Sequence, residues 1–160
     1  MSVAGAGSAI RVGFQVWGQF VGWPELMADE VVEVHAWGSL LAHPHLAGVG
    51  DVDSAVVALR LAGGAIGTVE LARSNVAGDE VRTEVVGTFG AVHVGERLVV
   101  GEAREPIFER AYAEQARAFV RAIAGDAPVE VGGAEARAAF AIALAARRSL
   151  REGRPVRVES

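Results

Sequence analysis

The sequence changes character once, near Arg104, and that change decides the fold class. Before it, valine-rich stretches alternate with glycine turns; after it come two alanine- and arginine-rich patterns of helical period. Strands followed by helices, rather than alternating with them, predict an α+β domain with helices gathered on one face of an open, mainly antiparallel sheet. The stretch from Val31 to Trp37 alternates, sending Glu33, His35 and Trp37 to one face and Val32, Val34 and Ala36 to the other. Further strands are expected from Ser54 to Leu61, Gly67 to Arg73, Glu80 to Gly87, Ala91 to Val94 and Arg97 to Val100. That makes about six strands, joined as a meander of sequential pairs. Ala62-Gly-Gly-Ala65 supplies a hairpin turn in which positive φ carries no Cβ strain.

The helical patterns follow. Ile107, Phe108, Ala111, Tyr112, Phe119, Val120 and Ile123 form one apolar stripe, ended by Gly125-Asp126. A second helix is expected from Ala134 through Phe140, Leu144 and Leu150. Arg147, Arg148 and Arg151 suit its C-terminal dipole, and Gly153 with Pro155 stops it. The segment from Phe14 to Val21 fits either a strand or a short helix. Residues 1–29 read as an atypical N-terminal segment ahead of a domain over 30–160.

Composition removes whole chemistries. The chain has 160 residues, no cysteine, and fifteen basic residues that are all arginine. A thiolate nucleophile, a disulfide framework, a Cys-based metal site, a Schiff-base lysine and a P-loop lysine are therefore excluded. A net charge of −5 points away from nucleic acid, which needs a basic face. No stretch reaches the ~20 apolar residues that span a bilayer, so no membrane is expected. The opening Met1-Ser-Val-Ala-Gly-Ala-Gly-Ser8 has no basic run before an apolar segment, and the expected compartment is the cytoplasm.

Gly5-Ala-Gly7 lacks the third glycine and the strand–helix context of a dinucleotide loop. His43-Pro-His45 with Asp51 and Asp53 offers imidazoles and carboxylates, but the pair straddles a proline and no fourth ligand is evident. An exposed loop is the simpler reading, and no metal is expected. No Gly-x-Ser-x-Gly elbow supports a nucleophilic serine. The polar sheet face is richer. Glu33, His35, Trp37, Arg82 and Glu84 fall on one side, with Arg73 and His93 as expected neighbours. Such a face suits a polar ligand or an oligomer interface, and the two can coexist.

Three segments, Gly50-Asp-Val-Asp-Ser-Ala-Val-Val-Ala-Leu-Arg-Leu-Ala62, Gly63-Gly-Ala-Ile-Gly-Thr-Val69 and Glu84-Val-Val-Gly-Thr-Phe-Gly90, resemble the Gfo/Idh/MocA oxidoreductases, and in particular their inositol-dehydrogenase-like members. The tail Ser149-Leu-Arg-Glu-Gly-Arg-Pro-Val156 is similar to that family's ending. The resemblance runs from about Glu30 to Val158 and implies the family's C-terminal domain, a dihydrodipicolinate-reductase-like fold. In complete members this domain contacts substrate and mediates oligomers, while an N-terminal Rossmann domain binds NAD or NADP. The 160 residues hold no counterpart of that domain, only Ile10-Arg-Val-Gly-Phe14 resembling the strand that links the halves.

The resemblance also marks departures. The family's Glu-Lys-Pro lysine has no equivalent here, and the positions matching its catalytic histidine and aspartate are Gly18 and Gln19. Where sugar-acting members carry Tyr-Gly-Tyr-Asp-x-Arg, this chain reads Ala77-Gly-Asp-Glu-Val-Arg82, keeping Arg82 with Glu80 at the aspartate's place. Arg73 stands where members often have arginine. NAD or NADP is thus not expected to bind these residues alone. Three readings remain. The first is a cofactor-independent acid–base enzyme (isomerase, dehydratase or cyclase) acting on a small organic substrate. His35, His93, Glu70 and Glu84 are its candidate acids and bases; Trp37, Arg73, Arg82 and Glu80 its substrate contacts. Trp17 and Trp23 would then form a lid. The second is a subunit that completes a Rossmann-bearing partner. The third is a truncated domain retaining only oligomerisation. Surface exposed without the Rossmann half predicts a homodimer or larger assembly.

Overall fold

The computed structural model describes residues 7–15, 29–75, 80–87, 90–94, 107–129 and 132–159. Its strands are β1 (Gly7–Gln15), β2 (Val31–Ser39), β3 (Ser54–Leu61), β4 (Ile66–Asn75), β5 (Glu80–Gly87), β6 (Gly90–Val94) and β7 (Val156–Arg157). The helices are α1 (Ile107–Ala124) and α2 (Gly133–Glu152), and a 3-10 turn covers Pro44–Val49. The strands form one sheet in the order β6-β5-β1-β4-β3-β2-β7. All neighbouring pairs are antiparallel except β1 with β5. This is the expected α+β class with an open, mainly antiparallel sheet.

The simple meander does not hold. β1 lies between β4 and β5 and pairs with both, splitting what sequential pairing would have made a hairpin. Residues placed in the N-terminal segment thus supply a central strand. The expected strand from Arg97 to Val100, together with Trp17, Gly18, Gln19 and Trp23, lies outside the described residues.

The β3–β4 hairpin turns at the predicted glycines. Gly64 sits at φ +91°, and the Gly63 amide donates to the Asp29 carboxylate at 3.0 Å. Side chains from β2 and β3, with Ala65 of the turn, bury the core: Val34, Ala36, Val57, Leu59 and Leu61. α2 closes that face with Ala145 and with partly buried Ile142, Ala146 and Leu150, a stripe at helical spacing. Glu135 reaches back to the Gly132 amide at 2.8 Å to cap the helix, and Gly153 ends it at φ +63°.

This inner stripe leaves two of the helix's large apolar residues outside. Phe140 and Leu144 are 65% and 50% exposed, on the side of α2 away from the core. α2 is apolar on more than one side because alanine fills the gaps between its larger residues.

Gly38 of β2 lies against Val52 and against Leu150 of α2. A Cβ there would meet Val52 Cγ1 at 2.9 Å and Leu150 Cδ2 at 3.0 Å. We expect Gly38→Val to cost about 1–3 kcal/mol through overpacking. Gly38→Ala should cost clearly less, since those two side-chain ends can shift. Urea midpoints of the two variants check the ordering, which fails if both match the unsubstituted chain.

Candidate functional site

Strand register fixes where the polar residues stand. On the face opposite α2, one row runs His35–Ala58–Thr68–Gly13–Glu84–His93 across the strands. The next runs Trp37–Val56–Glu70–Arg11–Arg82, and a third Ser39–Ser54–Ala72–Ala9–Glu80. Partners in register share a face, so the expected common side for Glu33, His35, Trp37, Arg82 and Glu84 is present.

The same rows divide the candidates. His35 on β2 and Glu84 on β5 are four strand spacings apart, roughly 19 Å at ~4.8 Å each. No single small ligand bridges them. His35 instead lies against Trp37, ring centroids 4.0 Å apart. Glu84 meets His93 across the β5–β6 pair at 3.7 Å, both side chains about half-exposed at the sheet edge. Glu70 and Arg82 stand two strands apart with Arg11 between them in the register. Glu80 opens β5 opposite Ala9.

Arg73 departs from expectation. By alternation it shares the face of Val69 and Leu71, which line the α2 side, not the face of Glu70. There its guanidinium binds Asp51 at 2.6 Å. The Val52 amide first, and then Arg73, hold the Asp51 carboxyl below its usual range. Arg73 is thus committed to an ion pair on the helix side.

Around Trp37 the open face carries a hollow of about 470 Å³, lined by Trp37, Ser39, Ser54, Val56, Glu70 and Ser74 among others. Two residues of this lining, Ser54 and Ser74, are hydrogen-bonded to a loop arrangement with no forewarning in the sequence. Asp53 is buried, and its Oδ2 accepts the amides of Leu41, Ala42 and His43 at 2.9, 2.7 and 2.7 Å. Oδ1 accepts the Ser54 hydroxyl at 2.9 Å. Burial alone would raise this carboxyl's pKa. The three amides and the hydroxyl outweigh it and hold Asp53 far below the ordinary carboxylate range.

The stapled loop places His43 Nε2 2.6 Å from Ser74 Oγ. At that point Arg73 and Ser74 together oppose Ser8, a bulge between the Gly7 and Ala9 pairings that re-aims the strand. Among the described residues no three His, Asp or Glu side chains gather as metal ligands. Asp53, one of the carboxylates considered for such a site, is instead saturated by amides. The signal that could have revealed the staple is Asp53-Ser54 at a strand start, facing a loop of free amides.

No helix among the described residues is long and apolar enough to cross a membrane. The GFO/IDH/MocA C-terminal domain profile matches residues 24–93. The chain is 34% identical to a myo-inositol 2-dehydrogenase of Thermotoga maritima over 149 residues, covering 84% of this chain and 45% of that protein. It is 26% identical to the NAD(+)-dependent scyllo-inositol 2-dehydrogenase of Bacillus subtilis, covering 84% and 43%. The chain therefore spans less than half the length of these curated relatives. Among solved structures, scyllo-inositol dehydrogenase of Lactobacillus casei with NAD(H) and scyllo-inositol superimposes with a TM-score of 0.73 at 19% identity, covering 95% of this chain and 56% of that one. A probable dehydrogenase of Thermotoga maritima gives 0.71 at 25%, covering 94% and 56%. From the matching fold, the profile and these relatives together, the chain belongs to the Gfo/Idh/MocA family and carries its C-terminal domain.

Proposed function

We propose that these residues serve as the substrate-side and assembly domain of an inositol-dehydrogenase-like oxidoreductase, acting together with a nucleotide-binding domain. The observation that carries this reading is the second apolar side of α2. Phe140 and Leu144 line, with Arg137, Ala141, Val156 and Arg157, a groove of about 270 Å³ that faces outward. Exposed apolar surface of this kind marks a protein contact. No described segment forms the strand–glycine turn–helix unit that cradles a pyrophosphate, so no step through a nicotinamide is assigned to these residues. Their contribution is to hold a polyol and to support the partner domain.

A cofactor-independent acid–base enzyme finds less support. Of the four candidate proton-transfer residues, only Glu84 and His93 meet among the described contacts, and both side chains of that pair are about half-exposed at a sheet edge. His35 and Glu70 belong to other parts of the face.

The test uses the nucleotide-binding half of the Thermotoga relative. Titrating NAD into the present chain alone should give no saturable thermal stabilisation. Mixing it with that half should give a complex on size exclusion, which Phe140→Asp disrupts. Stabilisation of the single chain by NAD at 100 times a fitted Kd would amount to about 2.7 kcal/mol and would overturn the proposal. Failure of the two halves to associate would do the same.

A further inference from the structure

A serine and an imidazole meet at one end of the hollow around Trp37. Ser74 Oγ lies 2.6 Å from His43 Nε2, and Ser74 is one of the residues lining that hollow. Both residues are half-buried. The separation falls within the roughly 2.6–3.2 Å over which a base takes the proton of a nucleophile. With the ring proton on Nδ1, Nε2 accepts the Ser74 hydroxyl, which is the arrangement of an activated serine.

One residue fixes both halves of this pair. The Asp53 carboxylate accepts the His43 amide at 2.7 Å, and the Asp53 carbonyl accepts the amide of Arg73, next to Ser74, at 2.8 Å. Pro44 keeps His43 out of the helical region, and its backbone stands at φ −126° and ψ 65°. The His45 ring meets the His43 ring edge-on, with centroids 5.7 Å apart. Burying a carboxylate is unfavourable unless hydrogen bonds compensate it. Buried Asp53 places those bonds on the loop that carries His43, which makes it a positioning residue for the imidazole.

We infer that Ser74 is a nucleophile, with His43 as its general base, and accepts an acyl group from a small activated ester seated in the hollow. Trp37, Val56 and Leu71 give the hollow an apolar wall, which suits a short hydrocarbon acyl chain. In the step, Oγ attacks the ester carbonyl carbon while its proton passes to Nε2. The bond from that carbon to the leaving alcohol's oxygen breaks, and the alcohol departs with the proton from the imidazolium. Ser74 is left as an ester, and nothing is oxidised or reduced. The pair stands on the open sheet face, whereas the proposed nucleotide-binding domain covers Phe140 and Leu144 of α2. Each proposal can therefore fail without the other.

The chain has no lysine and no cysteine, so the side chains that usually consume such esters are absent. The full chain is mixed with p-nitrophenyl butyrate, and nitrophenolate release is followed together with intact mass and peptide mapping. The expected result is a burst of one nitrophenolate per chain and one butyryl group, carried on Ser74. Ser39 and Ser54 of the same hollow should stay unmodified, since no described hydrogen bond joins either to an imidazole. Ser74→Ala should abolish the burst. His43→Gln, which keeps a hydrogen-bonding group but no base, should slow it about a hundredfold or more. Added imidazole should restore butyryl-Ser74 in His43→Gln, a rescue that a merely structural histidine would not show. Circular dichroism of both variants should match the unsubstituted chain; if Ser74→Ala loses its fold, the mapped position and the His43→Gln rate decide. No burst, butyryl on another residue, or undiminished acylation in His43→Gln each overturns the inference.

Discussion

Ser149→Ala should lower stability by about 2–4 kcal/mol, a large effect for the loss of one oxygen atom. Ser149 is 0% exposed. Its hydroxyl accepts the Ala36 amide at 2.9 Å and donates to the Arg154 carbonyl at 2.7 Å. The need for it follows from sheet topology. β7 is two residues long and pairs with β2 only at Glu33 and Val34. The even-numbered backbone groups of β2 point toward β7, as Val32 does in accepting the Val158 amide at 3.0 Å. Beyond Val34 the edge strand has ended, and the Ala36 amide would be orphaned inside the core.

The helix supplies the missing partner. Replacing Ser149 by alanine leaves the buried Ala36 N–H and the part-buried Arg154 C=O unpaired, the first costing about 1–3 kcal/mol and the second less. The better helix propensity of alanine returns only about 0.5 kcal/mol. For a domain of this size the net loss corresponds to roughly 5–12 °C in Tm, measurable by scanning calorimetry. A change below about 0.5 kcal/mol would mean that water replaces the hydroxyl, so that the bridge is not what holds β2 to α2.

The same region shows what a sequence can and cannot disclose. Ser54–Leu61 and Glu80–Gly87 were legible to the residue, because half-buried strands alternate and glycine marks their turns. The end of α2 at Gly153 was equally plain. The inner face of α2 was not. With alanine at 138, 139, 141, 143, 145 and 146, several faces are apolar. Nothing in that pattern singles out Ile142, Ala145 and Leu150, which pack on the sheet, over Phe140 and Leu144, which do not. β1 was obscure for another reason. Its insertion between β4 and β5 is a pairing over some sixty residues of sequence, and nothing local in Ile10–Phe14 reports it.

The candidate site was half legible. Alternation assigned Glu33, His35, Trp37, Arg82 and Glu84 to a common face. Their spacing across that face depends on strand order, so the roughly 19 Å between His35 and Glu84 could not be foreseen. Arg73 was assigned to the wrong side because its strand was read without its register.

Asp53→Asn should release the loop from Leu41 to His43 at neutral pH and separate His43 from Ser74. The carboxylate is the sole side-chain acceptor described for three consecutive amides, and its charge strengthens all three bonds. Asparagine keeps the shape but presents a neutral oxygen to the amides and an NH2 donor to the Ser54 hydroxyl. The pH dependence follows from the depressed carboxyl. A folded pKa below the unfolded value of about 3.9 means the native state binds fewer protons than the unfolded one in acid. The stability supplied by Asp53 is therefore fully present above about pH 5 and is lost as pH falls through the unfolded value toward the folded one. The advantage of the unsubstituted chain over Asp53→Asn should be constant from pH 8 to about pH 5 and shrink steadily below pH 4. Urea midpoints of the two proteins at matched pH isolate this residue from the other carboxylates, which titrate in both. Amide exchange at Leu41, Ala42 and His43 should quicken in the variant at pH 7. An advantage that grows on acidification would reverse the sign and show that the amides favour the protonated acid, contrary to the geometry of the loop.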